Sequence, residues 1–259
     1  MKEYIHEISD YKEKEPIKKK YDVIVVGGGM SGLCAAIASA RNGAHTAIIQ
    51  ERSVFGGNGS SEIRMHVAGA SCHWGKENAV ETGIMMEMQL HNQYLNYDHN
   101  FSIWDGVLWS TAMETKHLDV YLNTVMIRVK SDGSEIQWVE CYQSTTESTY
   151  RMQANVYIDA TGNGSLGYFA GAEYRFGCED KAAYHEPSAR DQVSGETMGN
   201  TIMFNARDTG HPVKFVKPEW AYTFDEDDLE YRYHGNITVY HDADKVVVLG
   251  PDESYEDHR

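Results

Sequence analysis

No stretch of this sequence is apolar for long enough to cross a bilayer. The richest, residues 23–40, is broken by glycines and serines, and a spanning helix needs about 18 uninterrupted apolar residues. Cysteine is scarce. Cys34, Cys72, Cys141 and Cys178 lie far apart with no CxxC pair, which argues against a zinc knuckle or a disulfide framework and fits a reducing compartment. Basic charge is in deficit: 23 Lys and Arg stand against 39 Asp and Glu, a formal net charge of −16. A field of that sign repels phosphodiester backbones, so nucleic acid is not an expected partner. Residues 1–20 form a charged leader without the apolar core of a signal peptide, so the expected location is cytoplasmic. His91 and His99 lack the i, i+4 partners of a helical metal site, and no metal is expected.

What is present is a chain of 259 residues, 41% hydrophobic and 24% charged, long enough to bury a core and far from the composition of disorder. Residues 21–26 are a β-branched run with no polar alternation, the pattern of a strand buried on both faces of a parallel sheet. From Ser31 the small and helix-forming residues up to Asn42 read as a helix ended by Gly43, and residues 45–50 read as the next parallel strand. The result is one βαβ unit. Residues 53–72 are rich in Gly, Ser and Asn and read as a loop, residues 81–97 have helical spacing, and residues 111–122 suggest a helix running into a strand at 120–122. Residues 125–130, 136–143 and 149–153 read as an inserted β-meander, with Asp132-Gly133 as its first turn. Residues 155–159 read as a separate strand returning to the sheet. Residues 219–259 hold twelve acids and three bases, a net of −9, as expected of a solvated surface.

Gly27, Gly29 and Gly32 form GxGxxG between a strand and a helix, with Glu51 nineteen residues past Gly32 at the end of the next strand. That context turns a weak pattern into a dinucleotide-binding expectation. The first glycine permits the tight turn, the second lets a pyrophosphate approach the backbone, and the third lets helix and strand pack closely. The N–H groups around Met30 and Ser31 would face the pyrophosphate, helped by the helix dipole. Glu51 would accept hydrogen bonds from the adenosine ribose, which disfavours a 2′-phosphate and hence NADP. The motif does not separate FAD from NAD. The second glycine pair, Gly56 and Gly57 with Asn58, favours FAD because it presses another backbone stretch on an extended ligand.

Asp159-Ala-Thr-Gly162 resembles the late ATG motif of two-dinucleotide-binding-domain flavoproteins, placing Ala160, Thr161 and Gly162 near the cofactor. The segments Gly57-Asn-Gly-Ser-Ser-Glu-Ile-Arg64, Glu81-Thr-Gly-Ile84, Ile158-Asp-Ala-Thr-Gly-Asn-Gly164, Ala170-Gly-Ala-Glu173 and Thr197-Met-Gly199 extend the likeness. Over about 22–222 the chain resembles the FAD-dependent oxidoreductases related to fumarate reductase and succinate dehydrogenase flavoproteins. Its particular likeness is to the bacterial family whose members are sometimes labelled xanthan-lyase-like. The resemblance implies FAD held by Gly27, Gly29, Gly32, Glu51, Arg52, Gly56, Gly57 and Gly162, with the meander as the usual insertion. Asn163 departs from the acid that relatives often carry. Such flavoproteins also use a later glycine-bearing helix at the flavin ring, whereas Gly235 and Gly250 stand alone here; the expectation is a truncated chain, the N-terminal half of a longer enzyme.

Arg64 and His66 follow the glycine pair, where an arginine would hold a substrate carboxylate or stabilise reduced flavin; His66 resembles the histidine that holds flavin covalently in some fumarate-reductase relatives, without the motif around it. They are the catalytic candidates, although a loop histidine with no such role is the commoner case. Cys34 reads as a packing residue, and Cys72 beside His73 has no sequence partner that would make it a redox pair. The expected fold is α/β, a Rossmann-like FAD-binding domain over 21–165 containing the excursion 53–118 and the meander 125–153. Residues 166–259 follow as a partial substrate or cap region. The expected function is hydride or electron-pair transfer between a small molecule and flavin. The alternatives are an NAD-dependent dehydrogenase and an inactive nucleotide-binding remnant. No membrane span is expected, and the oligomeric state is not readable.

Overall fold

The computed structural model describes residues 15–65, 67, 80–197, 209–211, 213–214 and 216–223, and the backbone of 238–242 and 245–249. His66, Cys72, His73 and most of the Thr197-Met-Gly199 motif lie outside the described residues. Two compact units divide the chain, Met1–Thr197 and Met198–Arg259. In the second, β7 (Thr238–Asp242) and β8 (Lys245–Leu249) form an antiparallel hairpin; their labels follow the chain order of the first unit.

The first unit is built on β1 (Ile17–Val26), α1 (Met30–Arg41), β2 (Thr46–Ile49), α2 (Gly83–Leu95), α3 (Phe101–Glu114), β3 (Leu118–Tyr121), β4 (Thr124–Ser131), β5 (Ile136–Gln143) and β6 (Ser148–Asp159). The short helices α4 (Ser165–Ala170) and α5 (Lys181–Tyr184) follow. One six-stranded sheet runs β3-β2-β1-β6-β5-β4. It is parallel from β3 to β6 and antiparallel through β6, β5 and β4.

Strand alternation explains why 21–26 carries no polar break. Val25 and Ile48 face the core made with Leu33 and Ile37 of α1, Met88 of α2 and Leu108 of α3. Ile24, Val26, Ala47 and Ile49 face a second core with Val139, Cys141 and Met152 from the meander strands. Both faces of the parallel strands are covered, so both sets of alternating residues are apolar. Leu166 of α4 is buried in the second core and therefore packs with the first unit.

Three elements depart from the sequence-based expectation. β1 starts at Ile17, inside the charged leader, because Ile17–Lys20 pair with Tyr150–Gln153 of β6 while their side chains stay largely exposed. The strands expected at 149–153 and 155–159 are one strand: β5 pairing ends at Met152, β1 pairing carries on, and Ala154 N donates to the Tyr157 hydroxyl at 2.9 Å. The helix expected from 111 begins at Phe101, where the Asn100 side chain accepts from Ser102 N at 2.8 Å. It ends at Glu114, where Thr115 turns extended at ψ 115°, and His117 at φ 63° then leads the chain into β3. The meander is thus a continuation of the parallel sheet through shared β6. Its first turn is tied by Asp132 Oδ1, which accepts from Glu135 N, Ser134 N and Ser134 Oγ; these bonds hold the carboxyl down at about 2.

Candidate functional site

The carboxyl ends of β1, β2 and β6 open onto a crevice of about 1050 Å³, at the upper end of the roughly 300–1,000 Å³ usual for ligand sites. Its floor is the turn between β1 and α1. Gly27 has φ 104°, and a Cβ there would collide with the Ala160 carbonyl oxygen, while a Cβ on Gly32 would strike the Gly27 carbonyl oxygen. Those two glycines are demanded by close backbone packing. Gly29 is different: its backbone is extended, at φ −64° and ψ 178°, and a Cβ would meet nothing within 4 Å. The space beside it is the crevice that Gly29 lines.

Gly29 is also the N-cap of α1. Among the described residues no side chain caps this end, and its first turn holds no acid, which leaves the positive end of the dipole open to an anion. The first helical bond, Leu33 N to Gly29 O at 2.9 Å, sets the helix direction. An uncapped helix start over open space at a glycine fits a diphosphate.

The facing wall is the loop after β2. Gly56, at φ 108°, donates its N–H to Gly28 O at 2.9 Å and bridges to Gly29. A short helical turn at Gly57–Gly59 follows. Helix α3 holds it from behind: Trp104 Nε1 donates to Gly59 O at 2.8 Å, and Asp105 Oδ1 accepts from Ser61 N at 2.9 Å. At the end of β2 the Glu51 side chain is 63% exposed. Arg52 Nε lies 3.8 Å from Glu51 Oε1, while Arg52 Nη1 binds Glu62 Oε2 at 2.7 Å, which raises the already high Arg52 pKa. Arg52 is thus turned to Glu62, and the Glu51 carboxylate keeps room for hydroxyl donors.

The third wall is the end of β6. Asp159 accepts from Gly167 N at 2.8 Å, from Thr161 Oγ1 at 2.8 Å and from Thr161 N at 3.0 Å. Burial pushes its carboxyl up, and these bonds outweigh it, so the pKa lies below the ordinary value. Thr161 Oγ1 in turn accepts from Ser165 N at 2.7 Å, which fixes the turn through Gly162 and Gly164.

Of the cofactor residues expected from sequence, Gly27, Gly29, Met30, Ser31, Glu51, Arg52, Gly56, Gly57, Asn58, Ala160, Thr161 and Gly162 line this one crevice. Gly32 stands behind it, as a packing glycine. Asn163 also lines it. Arg64 is exposed, with φ 64°; its Nε donates to Ser61 O at 3.2 Å, and it is not part of the lining. Sequence reasoning missed Gln50 and the start of β4, Thr124–Met126, which complete the lining beside Glu51 and Arg52. Gln50 had a signal, as the neighbour of Glu51; β4 had none, because it reaches the site only through β3, which pairs with β2 and is separated from β4 by two residues. A second cavity of about 280 Å³ shares Gly59, Met65 and Val67 with the crevice and continues along Gln89, Asn92, Phe101 and Trp104.

Parallel strands, a glycine turn at a helix start and a carboxylate at the next strand end define a Rossmann-like dinucleotide-binding domain. Residues 22–252 match the family described as FAD dependent oxidoreductase, and the chain belongs to that family. No curated protein matches. Among solved structures the chain is similar to L-proline dehydrogenase from P. horikoshii, at 18% identity and TM-score 0.35, covering 60% of this chain and 25% of that one. It is similar to E. coli quinol fumarate reductase FrdA at 14% identity and TM-score 0.37, covering 56% and 33%. Similarity to THI4 from Thermovibrio ammonificans is 20% identity and TM-score 0.39, covering 60% and 64%. The chain spans between 25% and 64% of the length of these three proteins. Among the described residues, no helix is long and apolar enough to cross a membrane.

Proposed function

We propose that this chain binds FAD in the crevice and serves an FAD-dependent oxidoreductase acting on a small molecule. The observation that carries the reading is the uncapped start of α1 above the open face of Gly29. In this reading Met30 and Ser31 present backbone N–H groups to the pyrophosphate. Glu51 accepts from the ribose hydroxyls, and Gly56 and Gly57 allow the facing loop to close on an extended ligand. Ala160, Thr161 and Gly162, held by Asp159, close the third side. When bound, flavin supplies hydride or electron-pair chemistry, and the protein supplies position and electrostatics.

The substrate is read as a small molecule, and the second cavity, adjoining the crevice at Gly59, Met65 and Val67, is where it would be sought. Arg64 and His66 remain the catalytic candidates of this reading, on their place after the glycine pair. Within the family, the segments from Gly57 to Arg64 and from Ile158 to Gly164 support a place among the bacterial members labelled xanthan-lyase-like.

Incubating the purified protein with FAD, desalting it and recording the visible spectrum tests the reading. One flavin retained per chain is the expected result. A colourless protein stabilised by NADH and not by FAD would make it a nicotinamide-dependent dehydrogenase, and one that takes up neither would leave an inactive nucleotide-fold remnant.

A further inference from the structure

The two glycine loops that meet at the crevice, residues 27–29 and 54–57, are joined by a backbone hydrogen bond, Gly56 N to Gly28 O, and by one buried side chain. Gln50 is 5% exposed. Its Oε1 accepts from Gly28 N at 2.9 Å, and its Nε2 donates to Val54 O at 2.9 Å. The Gln50 backbone is itself fixed: its N donates to Tyr121 O at 2.8 Å at the end of β3, and its O accepts from Thr124 N at 2.9 Å at the start of β4. The fit is close, since a Cβ on Gly28 would lie 2.9 Å from Gln50 Cβ and 2.8 Å from Phe55 Cδ1. Beyond the amide, Gly56 N to Gly28 O and the Gly29 to Gly56 bridge continue the same seam.

A primary amide supplies an acceptor and a donor on one rigid plane. Leucine has neither, glutamate lacks the donor at neutral pH, and asparagine is one methylene shorter. The groups it satisfies matter because the two loops contain Gly27, Gly28, Gly29, Gly56 and Gly57, and glycine backbones lose the most conformational freedom on ordering. Without the amide only the Gly56 N–Gly28 O bond and the bridge beside it would tie the loops, a ligand touching both would have to order more of them, and its affinity would fall accordingly.

We propose that Gln50 is a positioning residue for the cofactor: its amide latches the phosphate-binding turn to the facing glycine loop, so the crevice is set for an extended diphosphate before the ligand arrives. The latch is a property of the free protein, while its consequence for FAD rests on the function proposed above.

The test compares wild type, Gln50→Leu, Gln50→Glu and a distant core control, Val139→Ala, by amide hydrogen exchange without ligand and by equilibrium FAD titration. Gln50→Leu is expected to accelerate exchange at Gly28 and Gly56 and to weaken FAD binding by about tenfold or more. Gln50→Glu keeps the acceptor for Gly28, so exchange at Gly28 is expected to stay near wild type while FAD still binds more weakly. Val139→Ala is expected to lower the melting temperature while its FAD affinity stays within about twofold of wild type, which a merely structural role for Gln50 would not separate from the Gln50 variants. Unchanged exchange at Gly28 in Gln50→Leu overturns the latch. Accelerated exchange with FAD affinity within about twofold of wild type overturns the positioning role. If Gln50→Leu does not fold, wild-type FAD affinity in Gln50→Glu overturns that role instead. A wild-type protein that takes up no FAD refutes the cofactor reading alone, and exchange still decides the latch.

Discussion

At the scale of single residues, the glycines of the turn are not equivalent. Alanine at Gly27 or Gly32 would be driven into backbone carbonyls, at Ala160 and at Gly27 itself, so either variant should unfold or lose much of its melting temperature. Alanine at Gly29 meets nothing and sits at an ordinary φ. Gly29→Ala should therefore keep its stability within about 1 kcal/mol in a denaturant titration while losing FAD affinity. Cysteine chemistry separates just as sharply. Burial pushes the Cys141 thiol up to about 12, so it stays protonated and inert at pH 8, whereas Cys178 is exposed. Mass spectrometry after brief alkylation of the native protein should find Cys178 modified and Cys141 intact. The GxGxxG spacing was legible from sequence because each glycine has a local reason. The place of Gln50 beside Glu51 was legible too, but its role as a tie was not, because that lies in which backbone groups, Gly28 N and Val54 O, the fold brings to it.

At the scale of elements, β5 carries a carboxylate that local pattern does not explain. Glu140 is 2% exposed and is held by Arg128 Nη1 at 3.1 Å and Arg151 Nη2 at 2.8 Å, with the Arg151 guanidinium stacked 4.6 Å over Trp138. Glu140→Ala would leave two arginines without their shared partner. Because Arg128 is well exposed, the cost should be about 2 kcal/mol rather than that of a fully buried pair, measurable by urea unfolding. The β4–β5 turn provides a pH signature. The Asp132 carboxyl is depressed to about 2 from 3.8 by its turn hydrogen bonds, so its contribution is present above pH 4 and lost as pH falls through 2. The stability difference between wild type and Asp132→Asn should be flat from pH 5 to 7 and shrink toward pH 2. A difference that grows on acidification would contradict this. The β1–α1–β2 unit was legible because strand period, glycine turn and helix formers agree locally. The early start of β1 and the fusion of 149–153 with 155–159 were not, since both follow from pairing between β1 and β6, more than a hundred residues apart.

At the scale of the whole molecule, the sheet explains why residues from four distant segments share one crevice. The parallel order β3-β2-β1-β6 puts the ends of β1, β2 and β6 side by side, and β3, paired with β2, delivers the start of β4 to β2's end, where Thr124 N donates to Gln50 O at 2.9 Å. Sequence motifs foresaw three of those walls and not the fourth, which has no glycine or acid to mark it. If FAD binds there, a ligand concentration one hundred times its Kd should stabilise the fold by about 2.7 kcal/mol, a melting shift of roughly 5–10 °C for a chain of this size. The most direct test of the account is a paired FAD titration of wild type and Gly29→Val, followed by flavin fluorescence, with circular dichroism to verify that both are folded. Saturation at one FAD per wild-type chain and no binding by a folded Gly29→Val protein is the predicted result. Equal binding by both proteins would contradict a diphosphate lying across the start of α1.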